Sequence, residues 1–373
     1  MATENNNKTL NVPNLRFPEF SGEWERCSLG EITTNFSRRN KEEVRYPMFS
    51  VTNNRGFVPQ SEQFEDREMV GEDIKAYKII HKNDFAYNPA RINVGSIAKY
   101  NGNEPCMISS LYVCFTADKR LDNEWLIQLL KTPKMNFYYN INGEGGVRVY
   151  LFYPNFARIK TAFPSLQEQQ KISSFLALLD ERIATQIKII EKLESLIKGL
   201  CQKLTQQGNS NTALNETLVC YSSTLQESSV QEAGDYPVYG ATGVCGYTDT
   251  PEVDGDSILI IKDGASVGVT YYASGKYSAI GTLNRLVSKR GYSLRYLYYC
   301  LKVFNFAPYR TGLAIPHIYF RDYGKAKVWC PSLDEQQRIA DALSKVELKI
   351  ALEKSLLEQL YSQKRFLLQA MFI

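Results

Sequence analysis

The sequence contains PSLQEQQKI at residues 164–172 and PSLDEQQRI at residues 331–339, two nearly identical phrases that lie 167 residues apart. Each phrase opens a long segment in which apolar residues recur every three or four positions, which is typical of an amphipathic helix. A globular segment followed by a long helix therefore occurs twice in this chain. This arrangement predicts a pseudo-two-fold internal repeat.

Both long helices have a defined start in the sequence. Ser165 and Glu168 have the S-x-x-E spacing of a capping box, and Ser332 and Glu335 repeat that spacing. Proline directly before each cap favours an extended entry, and Gly208 is a plausible stop for the first helix. We predict a central helix over residues 164–207 and a C-terminal helix over residues 331–373.

The two helices are expected to pack on each other. A helix of about forty residues is roughly 60 Å long, which exceeds the need of most globular domains and favours a coiled coil. Since the connection after the first helix is short, the pair is predicted to be antiparallel; in the alternative, each helix packs on its own domain. In the second helix, Glu353 and Lys364 interrupt the apolar stripe and either weaken the pair or mark a partner contact. The apolar positions predicted to form the helix pair and contact partners are Ile172, Leu176, Leu179, Ile183, Ile190, Ile339, Leu343, Val346, Ile350 and Leu357.

The two globular segments, residues 1–163 and 208–330, also resemble each other. DFAYNPARINVG at residues 84–95 matches DSILIIKDGASVG at residues 256–268, and a Tyr-Pro pair occurs at Tyr46 and again at Tyr236. Short β-branched or aromatic runs bounded by Gly and Asp predict strands in both segments. The predicted class is α+β: two mixed α/β domains separated by two long antiparallel helices that form a coiled coil.

Charge is distributed unevenly within each half, although the formal net charge is only +4. Residues 208–275 contain nine acidic side chains and one lysine, whereas residues 276–330 contain ten Lys or Arg and one aspartate. Residues 1–163 follow the same trend more weakly. The opposite signs either pair off within each domain or leave a basic face that could bind phosphates.

Several function classes lack their sequence signatures. The chain has two histidines, His81 and His317, neither in the context of a nucleophilic triad, and it has no phosphate-binding loop of the G-x-x-x-x-G-K-[ST] type. Its eight cysteines are scattered and form no C-x-x-C pair, so we expect no metal site and interpret them as small core residues. NPAR at residues 88–91 lacks the second proline and the aromatic residue of an amino-methyltransferase motif, and is interpreted as a turn at a strand end. No catalytic residue and no cofactor on this chain are predicted.

The remaining candidates are loops that follow strands and carry Arg, Lys, Asn and Gly. Arginine bonds well with guanine and asparagine with adenine, while lysine and backbone amides hold phosphates. In the first half these loops are TNNRG (52–56), ARINVGS (90–96) and GEGGVRVY (143–150); in the second they are GATGVCG (240–246), KDGAS (262–266) and YRTGLA (309–314). The predicted DNA-binding residues are Asn53, Asn54, Arg55, Arg91, Asn93, Arg148, Tyr239, Thr242, Lys262, Ser266, Arg310 and Thr311.

The whole layout resembles the DNA-specificity (S) subunit of type I restriction-modification systems. The resemblance rests on the two P-S-L-x-E-Q-Q-[KR]-I phrases, on GEWERCSLGEI at residues 22–32, on the Tyr-Pro strands and on the glycine loop before each terminal strand; it covers the chain from about Pro13 onward. It implies that residues 1–163 and 208–330 are target recognition domains, each of which recognises one half of a split, asymmetric sequence in double-stranded DNA. It implies that residues 164–207 and 331–373 are spacer helices that set the gap between the half-sites.

The resemblance also implies partners. The helices would dock two methyltransferase (M) subunits that bind S-adenosylmethionine and methylate adenine, and two restriction (R) subunits could add ATP-driven translocation and cleavage. The S subunit itself would be non-catalytic. The main alternative is a coiled-coil scaffold with two domains that bind something other than DNA; an autonomous methyltransferase or nuclease, and an orphan S subunit that competes for partners, are further alternatives. The polar N-terminus and the lack of a long apolar run lead us to expect a cytoplasmic protein without membrane contact.

Overall fold

The computed structural model describes residues 11–62, 74–145, 149–312 and 314–373. The chain divides into two compact units. Unit 1 comprises residues 1–184 together with 358–373, and unit 2 comprises residues 185–357. Each unit therefore contains a globular part and a portion of each long helix. The predicted domain boundaries, which place both whole helices outside the globular domains, remain a prediction.

Unit 1 is built from short strands, short helices and the start of one long helix. The strands are β1 (Glu25–Ser28), β2 (Thr33–Phe36), β3 (Phe49–Thr52), β4 (Gly56–Pro59), β5 (Lys78–Ile80), β6 (Phe85–Tyr87), β7 (Ile97–Lys99), β8 (Cys106–Ile108), β9 (Val113–Ala117) and β10 (Lys160–Phe163). The helices are α1 (Leu29–Ile32), α2 (Asn123–Leu130), α3 (Pro133–Asn142), α4 (Tyr153–Arg158) and α5 (Leu166–Thr205), whose second half belongs to unit 2.

Unit 2 contains the corresponding elements. The strands are β11 (Thr212–Ala213), β12 (Leu218–Ser222), β13 (Tyr236–Gly240), β14 (Gly243–Thr248), β15 (Val253–Asp254), β16 (Ser257–Ile261), β17 (Thr270–Ala273), β18 (Lys276–Ala279), β19 (Leu283–Ser288) and β20 (Lys327–Val328). The helices are α6 (Leu214–Thr217), α7 (Leu294–Lys302), α8 (Phe320–Tyr323) and α9 (Leu333–Ala370), whose last turns belong to unit 1.

The two units have the same sheet topology. One antiparallel sheet has the strand order β2-β9-β6-β7 in unit 1 and β12-β19-β16-β17 in unit 2. A second sheet in unit 2 has the order β14-β13-β18-β15; in unit 1 the pairs β3-β4 and β5-β8 are joined by a parallel bridge between Met48 and Met107. The strand before each long helix pairs with the first strand of its unit, β10 with β1 and β20 with β11. The predicted repeat is therefore confirmed strand by strand, although α3 is replaced in unit 2 by a single 3₁₀ turn at Ala307–Tyr309.

The long helices α5 and α9 pack together in antiparallel sense within each unit. In unit 1, Asp180 of α5 forms a salt bridge with Lys364 of α9, and the last residues of α9 lie near the start of α5, where the backbone N–H of Leu15 donates to the carbonyl of Ala370 at 2.9 Å. In unit 2, the end of α5 and the start of α9 share one apolar cluster that includes Ile197 and Leu343. The coiled coil is confirmed, and the alternative in which each helix packs only on its own domain is wrong. Of the predicted stripe positions, Ile172, Leu176, Leu179, Ile183, Ile190, Ile339 and Leu343 are buried, and Val346, Ile350 and Leu357 are half-buried.

The predicted capping boxes are only half formed. The backbone N–H of Glu168 approaches Ser165 Oγ at 3.4 Å, and Glu335 approaches Ser332 in the same way. The return bond from each glutamate side chain is absent among the described residues, since Glu168 instead binds Arg16 and Trp24, and Glu335 binds Arg338. The two glutamates of the repeated phrase therefore have different roles in the two units.

The first glutamine after each glutamate makes the same two contacts in both copies of the phrase. Gln169 Oε1 accepts from the backbone N–H of Asp122 at 2.7 Å, and Gln336 Oε1 accepts from that of Ser293 at 2.9 Å. Each glutamine also donates to the carbonyl of its own phrase's proline at 2.9 Å. Asp122 and Ser293 are the N-caps of α2 and α7. These buried amides therefore attach each long helix to the short helix of its domain.

Replacing Gln336 with alanine should lower the free energy of unfolding by about 2 kcal/mol, because it leaves the partly buried N–H of Ser293 and the carbonyl of Pro331 without this partner. Gln337, the next residue, is exposed and provides a matched control. Urea unfolding of both variants measures the difference. An equal effect of Q336A and Q337A would mean that the amide does not attach the helix to α7.

The charged residues that interrupt the second stripe contact α5. Gln186 Nε2 donates to the Glu353 carbonyl at 3.0 Å and also to its carboxylate, which in addition pairs with Lys349. Gln186 and Glu353 are 167 residues apart and are thus equivalent positions of the repeat. The charged residues in the apolar stripe of α9 therefore contribute to its pairing with α5.

The Glu353 carboxylate should make the stability of the helix pair depend on acid pH. The Lys349 ammonium and then the Gln186 amide hold the pKa of Glu353 below its ordinary value of 4.5. Because the folded-state pKa is the lower one, this contribution is present above pH 4.5 and is lost as the pH falls through the folded-state pKa. Thermal unfolding between about pH 3 and 6 should show this acid-side loss in the wild type but not in the E353Q variant. Identical pH profiles would contradict the assignment.

Candidate DNA interface

In unit 1 the first candidate loop is the turn between β3 and β4. Thr52 Oγ1 accepts from the backbone N–H of Arg55 at 3.1 Å and donates to the carbonyl of Gly56, which closes a tight turn. Asn53, Asn54 and Arg55 are exposed on this turn, and Arg55 pairs with Glu62 at 2.7 Å. Since that pair is open to solvent, it competes only weakly with an external ligand.

The second candidate loop lies against the first. Gly95 has φ +99°, and a Cβ atom at this position would lie 2.9 Å from the carbonyl oxygen of Asn53. The buried Ser96 hydroxyl donates to the Val51 carbonyl at 2.6 Å, which fixes the approach of the two loops. Arg91 is exposed, while Asn93 is half-buried and donates to Asn140 of α3 at 3.0 Å. Asn88 accepts from the backbone N–H of Ala90, as expected for the strand-end turn predicted for NPAR.

The third loop joins the same edge of unit 1. Glu144 and Tyr150 exchange two backbone hydrogen bonds of 2.8 Å, and the N–H of Leu151 donates to the Pro89 carbonyl at 3.0 Å. A cleft of about 740 Å³ lies between the second and third loops, with Arg91, Asn93 and Tyr150 among its lining residues. Arg148 lies outside the described residues. The structure thus brings the three predicted loops of unit 1 together.

In unit 2 the second and third candidate loops are likewise joined. Thr311 and His317 exchange backbone hydrogen bonds of 2.9 and 2.7 Å, and the N–H of Ile318 donates to the Lys262 carbonyl at 2.9 Å. The exposed Arg310 donates from Nη2 to the Val267 carbonyl at 3.2 Å. Ser266 and Thr311 are exposed, and Lys262 is half-buried. These residues occupy the same place as the second and third loops of unit 1.

The β13–β14 turn of unit 2 differs from its counterpart. Thr242 is exposed at its tip, but Tyr239 is half-buried and packs edge-on against the ring of Tyr277 at 5.6 Å. The Tyr271 hydroxyl donates to the Ala241 carbonyl at 2.9 Å and thereby holds the turn against β17. Tyr239 is therefore part of the core cluster that supports the turn, whereas Thr242 is free to contact a ligand.

Sequence reasoning did not single out four solvent-accessible rings at these loops, although Tyr150 lies in the third loop named for unit 1. Tyr150 stacks on Phe152 in unit 1, and His317 stacks on Tyr319 in unit 2. A sequence signal could have revealed them. Each half has two ring-bearing residues at positions i and i+2, and the two pairs lie 167 residues apart. His317 Nδ1 also lies 2.6 Å from the Asp263 carboxylate.

The basic residues of unit 2 are not neutralised by its acidic segment. Within the described part of unit 2, no Lys or Arg of residues 276–330 forms a salt bridge with an Asp or Glu of residues 208–275. In unit 1 the signs do pair in part, since Lys75 bonds with Glu43 and Arg120 with Glu25. Unit 2 therefore retains basic side chains that can bind phosphates.

Most of the thiols lie in apolar surroundings. Cys27, Cys106, Cys114, Cys201, Cys300 and Cys330 are buried, Cys220 is half-buried and Cys245 is exposed. Burial raises the pKa of Cys201 and of Cys330 to about 11, so these thiols are poor nucleophiles near neutral pH. The described residues contain no cluster of His, Cys, Asp and Glu that could hold a metal ion, and no helix there is long and apolar enough to cross a membrane.

The two units correspond to two matches of one protein family. The family described as type I restriction modification DNA specificity domain matches residues 22–195 and again residues 221–362. The chain belongs to this family. The first match ends within α5 and the second ends within α9, so each match covers one copy of most of the repeat.

Individual members of the specificity family are similar to this chain at low identity. A protein of Methanocaldococcus jannaschii described as the putative type I restriction enzyme MjaX specificity subunit is 22% identical over 213 residues, which cover 54% of this chain. The match spans 50% of that relative's length. The type I restriction enzyme EcoprrI specificity subunit of Escherichia coli is 26% identical over 117 residues, which cover 31% of this chain and 29% of the relative.

Two solved structures share the fold along nearly the whole chain. The crystal structure of a type I restriction-modification S subunit from M. genitalium has a TM-score of 0.62 and 18% identity, and the alignment covers 97% of this chain and 99% of that one. A chain from a study of the assembly and conformational transition of the type I R-M system has a TM-score of 0.60 and 15% identity, covering 92% and 96%. The predicted fold class, two mixed α/β domains with two long antiparallel helices, is confirmed.

Proposed function

We propose that this chain is the DNA-specificity (S) subunit of a type I restriction-modification complex, and that each unit recognises one half of a bipartite, asymmetric sequence in double-stranded DNA. The observation that carries the proposal is the doubled family match, which covers two units of identical strand order whose candidate loops carry different residues. A repeated scaffold with unlike loops is suited to the recognition of two unlike half-sites.

The loop chemistry supports contacts with DNA. In unit 1, Asn53, Asn54, Arg55 and Arg91 are exposed at one edge, and asparagine and arginine are the side chains that bond best with adenine and guanine. In unit 2, Lys262, Arg310 and Thr311 offer phosphate or base contacts at the corresponding edge. The unpaired basic residues of unit 2 would strengthen the attraction for the DNA backbone.

The helix pair would set the gap between the half-sites and dock two methyltransferase (M) subunits. Exposed apolar side chains on the outer faces of the helices support docking: in unit 1 these include Leu178 and Phe366, and in unit 2 Leu348 and Leu352. S-adenosylmethionine would bind the M subunits, and ATP would bind the restriction (R) subunits if these join the complex. This chain would then need no cofactor or catalytic residue of its own, and it would work in the cytoplasm, where the DNA is.

The coiled-coil scaffold with two domains for other ligands is not favoured, since both units match the specificity-domain family. Binding of the full chain with its M partner to duplex DNA, measured at several salt concentrations, tests the proposal. The affinity should fall steeply between about 50 and 200 mM salt, because phosphate contacts release counterions. No binding to DNA at any salt concentration would favour the scaffold.

A further inference from the structure

The two units present a stacked pair of exposed rings at the same place in the fold. In unit 1 the rings of Tyr150 and Phe152 stack with centroids 6.3 Å apart and planes 12° apart; in unit 2 those of His317 and Tyr319 stack at 6.5 Å and 18°. Tyr150 and His317 are equivalent positions of the repeat, 167 residues apart. Large rings exposed at equivalent places in two otherwise divergent loops call for a shared role.

The backbone fixes these rings outward. Leu151 and Ile318, between the two rings of each pair, are buried, and side chains of an extended segment alternate between its two faces. Each segment is tied to the loop that follows β6 or β16, through the bond from Leu151 to Pro89 or from Ile318 to Lys262. The rings therefore lie beside the candidate DNA-binding loops of their units. Tyr150, Phe152 and Tyr319 are 38–48% exposed, and His317 is half-buried.

The pair in unit 2 carries a polar group that the pair in unit 1 lacks. His317 Nδ1 is held by the Asp263 carboxylate at 2.6 Å, so Nδ1 carries a proton. The other ring nitrogen, Nε2, has no partner within residues 11–62, 74–145, 149–312 and 314–373. A carboxylate that orients an imidazole while its second nitrogen stays free is an arrangement suited to a hydrogen bond with a ligand.

We infer that the exposed ring pairs determine base specificity: His317, oriented by Asp263, recognises one base pair of the half-site of unit 2 through Nε2, and the Tyr150–Phe152 pair makes the corresponding apolar contact in unit 1. Nε2 can bond with the edge of a base, whereas flat apolar rings suit the methyl group of thymine or a sugar face. The different chemistry of the two pairs is one source of the asymmetry of the target. This inference rests on the proposed function.

The test uses the full chain in its complex with the M subunits, in cells whose genomic DNA is mapped for adenine methylation by single-molecule sequencing. The variants are H317A, D263N and H317Y, the last of which keeps a stacked ring but removes Nε2, together with Y150A in unit 1. Gln337 is exposed near the start of α9, away from the candidate loops, so Q337A is a control in unit 2.

The expected result is local to one half of the motif. H317A and H317Y should relax the discrimination at one base pair by about 10-fold and leave the other half-site unchanged, whereas Y150A should alter only that other half-site. D263N should act at the same base pair as H317A, more weakly. Q337A should leave the motif as it is.

Two outcomes would overturn the inference and leave the proposed function intact. One is a bipartite motif that H317A, H317Y, D263N and Y150A all leave unchanged. The other is an equal loss of methylation at every site in the three unit 2 variants with the M subunits still bound, which would assign the pair a purely structural role. A wild-type complex that produced no bipartite motif would instead contradict the proposed function.

Discussion

Replacing Arg16 with alanine should lower the free energy of unfolding by about 3 kcal/mol, because it leaves a buried carboxylate without its counter-charge. The guanidinium of Arg16 binds both oxygens of Glu168, from Nε at 2.8 Å and from Nη2 at 2.7 Å. The Glu168 side chain is only 2% exposed, and its remaining partner is the indole N–H of Trp24 at 3.3 Å. Chemical denaturation of the full chain measures the loss.

The repeat supplies a matched control for this variant. Glu335 occupies the position of Glu168 in the second phrase, but it is partly exposed and pairs with Arg338, whose side chain is 80% exposed. Because solvent screens that pair, R338A should cost less than about 1 kcal/mol. Equal effects of R16A and R338A would show that the Arg16 contact does not secure the start of α5.

Lengthening both helices by seven residues should widen the gap between the two recognised half-sites by about three base pairs. A heptad adds about 10.5 Å of helix and keeps the apolar stripe nearly in phase, and one base pair occupies about 3.4 Å along the DNA. Because the helices are antiparallel, insertions after Thr185 and after Glu353 would fall on the same side of the polar pair Gln186–Glu353, so the antiparallel pairing is preserved. Methylation mapping of the altered complex measures the gap.

A two-residue insertion at the same two places is the control, since it rotates the apolar stripe by about 200°, away from its partner helix, and should abolish methylation. The heptad variant should keep both half-sites and change only the unrecognised spacer. A spacer that stays unchanged in a methylating heptad variant would contradict the role proposed for the helices.

The sequence alone predicted the repeat, both long helices and their antiparallel pairing. These features depend on periodic apolar residues and on a doubled phrase, which are signals carried locally by the chain. The close approach of the loops of unit 1 could also be anticipated from Gly95, because a glycine in a short loop between strands indicates tight backbone geometry. The same applies to Gly268 of unit 2, which has φ +92°.

Other features depend on contacts between distant residues and could not be predicted. The return bond of the first capping box does not form because Arg16, 152 residues away, binds Glu168 instead. Tyr239 follows the expected strand but packs on Tyr277, and only the fold shows which face of β13 is buried. His317 was set aside for lack of a catalytic context, and its pairing with Asp263 arises because two loops 54 residues apart meet in unit 2.

The central claim, that two unlike units each recognise one half of a DNA sequence, is tested most directly by exchanging the loops of one unit. Residues 262–266 and 309–319 of unit 2 would be replaced by the corresponding segments of a second specificity subunit of known motif, and adenine methylation would then be mapped across the genome. We predict a hybrid motif in which one half-site changes to that of the donor while the other half-site and the spacer stay as they were. A motif that changes in both halves, or one that remains entirely that of the wild type, would contradict the account.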